Sequence, residues 1–190
     1  MVCNDSAFRM TDLAASILSG DARAVARGIS VVEGAADEGP ALVREIFPRS
    51  GRAFIVGVTG APGAGKSTLV DCLVSRWRKA GKTVGVIAVD PTSPFSGGAM
   101  LGDRVRMQAH AQDSGVFIRS MATRGHLGGL ARATADAALV LDASGKDLVA
   151  IETVGVGQDE VEVARVADVS ILVLVPGMGS DHRAGIVSAS

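Results

Sequence analysis

Phe54-Ile55-Val56-Gly57-Val58-Thr59-Gly60-Ala61-Pro62-Gly63-Ala64-Gly65-Lys66-Ser67 begins as a short apolar run, breaks into glycine, and ends on a lysine and a hydroxyl. The apolar half, about 53–58, predicts a buried strand. The second half, Gly60 to Ser67, fits the spacing GxxxxGK[ST]. Glycine at 60, 63 and 65 lets successive backbone N–H groups turn toward one centre with no Cβ in the way. A helix starting near Gly65 would add its positive N-terminal end. Lys66 is then placed to reach the β- and γ-phosphates of a nucleotide, and the Ser67 hydroxyl to coordinate magnesium. The expected nucleotide-binding set is Gly60, Ala61, Pro62, Gly63, Ala64, Gly65, Lys66, Ser67 and Thr68, with Lys66 also catalytic. A glycine-rich turn can arise for packing alone; a strand before it and an amphipathic helix after it argue for the phosphate.

That helix is expected over 67–80. Leu69, Leu73 and Trp77 share one side, Arg76, Arg78 and Lys79 suit its C-terminal dipole end, and Gly81 follows as the residue that closes it. Farther out, apolar runs at 84–89, 115–119, 148–151 and 169–175 read as strands. Helical patterns lie between them at 103–112, 128–142 and 159–166. Alternation of this kind predicts an α/β fold of the P-loop NTPase type, a mostly parallel sheet flanked by helices. Upstream, residues 10–47 read as two short helices. Thr11 could cap the first, and Gly20, Gly34 and Pro40 act as punctuation. The expected organisation is a helical N-terminal segment over 1–50, a nucleotide-binding domain over 51–181, and a divergent tail over 182–190.

Composition supports this reading. Hydrophobic residues make up 47% of the 190 positions and aromatic residues 3%, with no tyrosine. The core must therefore be aliphatic, as a buried parallel sheet requires. Nineteen basic residues against 20 acidic ones leave a net charge of −1, which does not advertise a polyanion-binding surface. Nucleic acid is accordingly not expected as a partner. Cys3 and Cys72 belong to no CxxC or Cys/His cluster, so neither a disulfide framework nor a zinc site is indicated. No apolar run approaches membrane length and the first twenty residues do not resemble a signal peptide. A soluble, cytoplasmic chain with no membrane partner is the expectation.

Phosphate chemistry needs a second metal anchor and a group that senses the γ-phosphate. The strand at 148–151 runs into Glu152, and Glu152-Thr153-Val154-Gly155 has the spacing of a DxxG switch with Glu in place of Asp. Glu152 is a candidate metal ligand and catalytic residue, and Gly155 could offer its N–H to the γ-phosphate. Gln158 either orients the attacking water or is a solvated loop residue. Asp90 ends another strand, where an acid faces the ligand crevice, although an Asx turn before Pro91 would also account for it. Asp103 could contact magnesium or cap the next helix. Ser67, Asp90, Asp103 and Glu152 form the candidate metal set. Arg104, Arg106, Arg119 and Arg124 lie near the same edge, where each could serve the transition state or simply pair on the surface. His110 and His126 read as helix-surface and loop residues.

Taken together these words resemble one family, the MeaB/ArgK-type GTPases that include the methylmalonic aciduria type A protein. The resemblance is carried by the phosphate loop extended to Thr68-Leu69, by Val89-Asp90-Pro91-Thr92-Ser93-Pro94-Phe95, and by Leu101-Gly102-Asp103-Arg104. It continues in Ser120-Met121-Ala122-Thr123-Arg124-Gly125-His126-Leu127-Gly128-Gly129, in Glu152-Thr153-Val154-Gly155-Val156-Gly157-Gln158, and in Val175-Pro176-Gly177. It implies GTP/GDP and Mg2+ as cofactors. It also implies a GTP-hydrolysing chaperone that assists cofactor loading and protection of an adenosylcobalamin-dependent acyl-CoA mutase, chiefly methylmalonyl-CoA mutase. Family members are expected to be homodimers. Their pattern would continue into an Asn-Lys-x-Asp guanine motif and a dimerisation arm, whereas this chain carries Ser180-Asp181-His182-Arg183-Ala184-Gly185 and five further residues. A C-terminally shortened member, with guanine preference resting on the resemblance and with an open sheet edge, is therefore expected. The alternatives are a weakly binding or inactive nucleotide-binding fragment, and an ATP-using kinase or ATPase of the older transport-kinase description.

Overall fold

The computed structural model describes residues 5–34, 38–90, 110, 112–122, 129–153, 159–175 and 186–188. Strands β1 (Phe54–Gly60), β2 (Val84–Asp90), β3 (Val116–Ala122), β4 (Leu148–Thr153), β5 (Val169–Val173) and β6 (Ile186–Ser188) form one sheet in the order β3-β2-β4-β1-β5-β6. The first five strands are mutually parallel, and β6 runs antiparallel to β5. Each of the four strands β1 to β4 extends one to three residues past its expected end. The extra residues are held by neighbours, as in Asp90 opposite Ala122 and Val89 opposite Thr153. Pairing with a parallel partner is a tertiary effect that local pattern does not report.

Helix α4 (Lys66–Lys79) covers one face of the sheet and closes over Val56, Val58, Val84, Val86 and Ala150. Its most buried positions are Val70 and Val74, with Leu69 and Trp77 flanking them, so the buried stripe is turned by one residue from the expected one. The end behaves as expected: Gly81 has φ +77°, its N–H returns to the Arg78 carbonyl, and that of Lys82 returns to Trp77.

The opposite face carries α5 (Gly129–Ala143) and α6 (Asp159–Val166), and outside α5 lie three N-terminal helices. These are α1 (Asp5–Leu18), α2 (Ala22–Glu33) and α3 (Glu38–Ile46), one more than the sequence reading anticipated. Thr11 lies inside α1, more than a turn past its first residue, and not at the helix start where an N-cap would stand. Asp21 caps α2 by accepting from the Ala24 N–H at 2.7 Å. Pro40, expected to break the chain, falls in the first turn of α3, where its missing N–H would have had no helical acceptor. The helical layer is no loose appendage. Ile17, Ile29, Leu42 and Ile46 are fully buried in a core shared with Ile87, Met121, Val140, Leu141 and Ile151.

The joint between the two parts is held by one carboxylate. Asp142, at the end of α5 and 6% exposed, accepts from the N–H groups of Gly51, Arg52 and Ala53. This fixes the chain just before β1. Charge-assisted bonds contribute about 1.5–3 kcal/mol each, and partial rehydration offsets some of that on removal. Asp142→Ala is expected to cost about 3 kcal/mol of stability, read as a lower urea midpoint, with Asp142→Asn in between. An unchanged midpoint would show that the three N–H groups find water at no cost.

A second ionic tie holds the far end of α4. Arg78 donates from Nε and Nη2 to Asp113 at 2.8 Å each, and the Gly115 N–H donates to the same carboxylate. The Arg78 hydrogen bonds, then the Gly115 N–H, lower the Asp113 pKa to about 2. The folded value lies below the unfolded one, so the stabilisation is complete above roughly pH 4. It fades as pH falls through about 2. Thermal melts between pH 5 and 2 should show Asp113→Asn less stable than the unaltered chain at the upper end, with the two curves converging at the lower. A constant gap across that range would exclude the linkage.

Among the described residues β6 pairs with Val169, Ser170 and Ile171 of β5, and Leu172 and Leu174 are 40% and 48% exposed. No helix among the described residues is long and apolar enough to cross a membrane.

Candidate phosphate and metal site

β1 and β4 are adjacent, with Val58 opposite Glu152, so the phosphate loop and the acid leave the sheet side by side at its carboxyl edge. The loop is a tight turn in which the Ala64 N–H reaches the Ala61 carbonyl at 3.1 Å, with Gly63 at φ +77° and Gly65 at φ +93°. Gly65 is the N-cap of α4 and contributes no side chain there, so the N–H groups of the first turn depend on partners from outside the helix. Gly60 has a further reason to be glycine. Its φ is +137°, and a Cβ there would overlap the carbonyl oxygen of Val173 on β5. The sheet itself, and not only the phosphate, demands the first glycine of the motif.

Lys66 is 6% exposed, and its Nζ donates to the carbonyls of Gly60 and Ala61 at 2.8 and 2.9 Å. Its ammonium is thus folded back over the loop that would surround a phosphate. Ser67 Oγ donates to Glu152 Oε1 at 2.6 Å, and Glu152 is 8% exposed. Two candidate metal ligands that lie 85 positions apart in the chain are therefore in direct contact. A serine hydroxyl beside a buried carboxylate is a set of hard oxygen donors, which fits magnesium.

Asp90 closes β2 at the same edge, separated from β1 by β4, and only its backbone is described. Asp103, Gly155 and Gln158 lie outside the described residues, as do Arg104, Arg106, Arg124 and His126 and most of the helix expected over 103–112. Arg119 is described and has a structural partner. Its Nη2 donates to Glu33 Oε2 at 2.5 Å and to Ser30 Oγ at 3.0 Å, tying β3 to α2.

His110 departs from its expected surface position. It is 9% exposed, with Nε2 2.9 Å from Asp71 Oδ1 and 3.5 Å from Ser75 Oγ. Asp71 and Ser75 are one turn apart on α4 and present a polar notch that buries the ring. The i, i+4 spacing of those two was legible; that a histidine from before β3 would fill the notch was not. Sequence reasoning also passed over Thr59 and Thr153, whose hydroxyls meet at the same edge.

Comparison with known proteins agrees with this geometry. Residues 25–187 match the family described as methylmalonyl Co-A mutase-associated GTPase MeaB. A relative from Pyrococcus abyssi is 61% identical over 162 residues, covering 85% of this chain and 50% of its own length. The GTPase ArgK of Escherichia coli is 45% identical over 140 residues, covering 74% of this chain and 42% of its own. The mouse methylmalonic aciduria type A homolog is 44% identical over 133 residues, 70% of this chain and 32% of its own. Among solved structures, one described as a LAO/AO transport system kinase superposes with a TM-score of 0.70 at 30% identity, covering 92% of this chain and 52% of that one. The chain spans about half the length of the first of these relatives. With a loop and acid of this geometry, both inside a match that runs from residue 25 to 187, the chain belongs to the MeaB family of methylmalonyl-CoA mutase-associated GTPases.

Proposed function

We propose that this chain binds GTP with magnesium at the loop Gly60 to Ser67 and takes part in its hydrolysis. In this reading it acts as a chaperone for an adenosylcobalamin-dependent acyl-CoA mutase of the methylmalonyl-CoA type. The observation that carries the reading is the convergence of Lys66, the loop amides, Ser67 and Glu152 at one sheet edge. The N–H groups of the loop and of the first turn of α4 receive phosphate oxygens. Lys66 exchanges its two carbonyl acceptors for phosphate oxygens, which brings a full positive charge to the β–γ bridge. Ser67 and Glu152 hold the metal, with Asp90 and Asp103 as further acids, and Gly155 senses the γ-phosphate while Gln158 orients the attacking water. Bound magnesium supplies neutralisation of the charge that builds on the phosphate oxygens.

The mutase partner rests on the family description and the resemblance, and it belongs to the proposal. The test is nucleotide competition with magnesium, using GTP, GDP and ATP, followed by hydrolysis with and without methylmalonyl-CoA mutase. GTP and GDP are expected to compete with each other and ATP to compete poorly, with hydrolysis responding to the mutase. Tighter ATP than GTP binding would overturn the guanine assignment, and no binding of any nucleotide would overturn the phosphate-site reading itself.

A further inference from the structure

The backbone ladder between β1 and β4 runs from Phe54 opposite Leu148 to Val58 opposite Glu152. One residue further along, both strands reach the site. β1 becomes the phosphate loop at Gly60, and β4 has just delivered Glu152. There a side-chain bond continues the ladder: Thr153 Oγ1 donates to Thr59 Oγ1 at 3.1 Å. Thr153 is 2% exposed, and its backbone is held on the other side by Val89 of β2. Thr59 pairs through its backbone with Leu172 of β5. The two hydroxyls therefore add a side-chain tie between the root of the loop and the root of the acid, beyond the last backbone pair of the ladder.

We propose that Thr59 and Thr153 are positioning residues whose hydroxyl bridge sets the spacing of Ser67 from Glu152, and so tunes the affinity for the divalent cation that accompanies the nucleotide. The proposal rests on the phosphate-and-magnesium reading above. Ser67 takes its position from β1 through the loop and α4, whereas Glu152 moves with β4. Magnesium requires near-octahedral geometry at short metal–oxygen distances, so a slip of a few tenths of an ångström between the strands weakens it. The phosphate grip is insensitive to the same slip, because the loop amides and Lys66 all belong to the β1–α4 unit. The signature is a loss confined to metal-dependent binding.

The experiment compares the unaltered 190-residue chain with Thr59→Val, Thr153→Val and the double variant. Valine keeps the shape and removes the hydroxyl. Binding of a non-hydrolysable GTP analogue is titrated against Mg2+, repeated in EDTA, and accompanied by melting of the unliganded protein. Each single variant and the double one are expected to raise the half-saturating Mg2+ concentration by about three- to tenfold, the size of one neutral hydrogen bond. The double variant should be no worse than either single one, with EDTA binding and the double variant's melting temperature unmoved. Thr153→Ser retains a hydroxyl and should restore the Mg2+ midpoint, which keeps the test open if Thr153→Val does not fold. An unshifted midpoint in the double variant, additive shifts, or equal losses with and without Mg2+ each overturn the bridge alone. Failure of the unaltered chain to bind the analogue overturns the phosphate-site reading together with it.

Discussion

Lys66→Ala should lower the affinity for GTP and magnesium by roughly 100-fold or more while leaving the unliganded fold nearly intact. The ammonium is already inside the loop, bonded to the Gly60 and Ala61 carbonyls and shielded from water. Transfer to phosphate oxygens replaces two neutral acceptors by charged ones. Each charge-assisted bond contributes about 1.5–3 kcal/mol, so two of them account for a factor of roughly 10² to 10⁴. In the empty protein, by contrast, the lysine satisfies only two loop carbonyls, which can turn to solvent when it is removed. The melting temperature should move little. Lys79→Ala is the control, since that residue is exposed at the other end of the same helix. Isothermal titration of both variants decides the matter. Lys66→Ala binding within a factor of about two of the unaltered chain would remove the lysine from the phosphate site.

Gly60→Ala should fail for a different reason, before any nucleotide is added. The Cβ would meet the backbone of Val173, which cannot rotate away as a side chain could, and the φ of +137° is one that residues with a Cβ rarely adopt. Backbone strain of this kind costs about 1–3 kcal/mol, and the clash with a paired strand adds to it. A total of about 3–5 kcal/mol corresponds to a fall of roughly 10 °C in melting temperature for a chain of this size. Gly63→Ala is the informative comparison. It shares a positive φ of +77°, but an added Cβ there meets nothing within 4 Å. Its stability loss should be only about 1–2 kcal/mol, although it still narrows the space left for phosphate. Equal losses in the two variants would show that the approach of β1 to β5 does not limit what can stand at position 60.

The contrast between those two glycines shows how much of the site could be read from the chain. The spacing of Gly60, Gly63, Gly65, Lys66 and Ser67 is a local signal, and local geometry delivers it: a strand, a turn and the start of a helix within fourteen residues, 54–67. Glu152 was also legible, as an acid at the end of an apolar run, because the end of a parallel strand is a place and not only a residue type. His110 was not legible. Its burial depends on a notch on α4 that comes from residues nearly forty positions earlier, Asp71 and Ser75. Arg119 shows the same limit. Its charge placed it among candidates for the transition state, and its partner Glu33 belongs to a helix 86 positions away.

The N-terminal helices make the point for packing. Glycine and proline were read as breaks, which served at Gly20, with its φ of +80°, and missed at Pro40 inside the first turn of α3. A proline tests only whether an N–H is needed, and the first turn of a helix does not need it.

Period, glycine spacing and turn chemistry were enough to establish the alternating α/β architecture, the glycine-rich loop and the strand end at which Glu152 stands, since each depends on residues within about one turn or one strand of each other. Folding in three dimensions decided which of those residues touch. The contact of Ser67 with Glu152, the closeness of Gly60 to Val173, and the clasp of Asp142 on the N–H groups of 51–53 all join distant parts of the chain. Such contacts depend on strand order and register, and a shift of a single residue in a parallel pair would turn every side chain to the other face while leaving the local pattern of each strand unchanged.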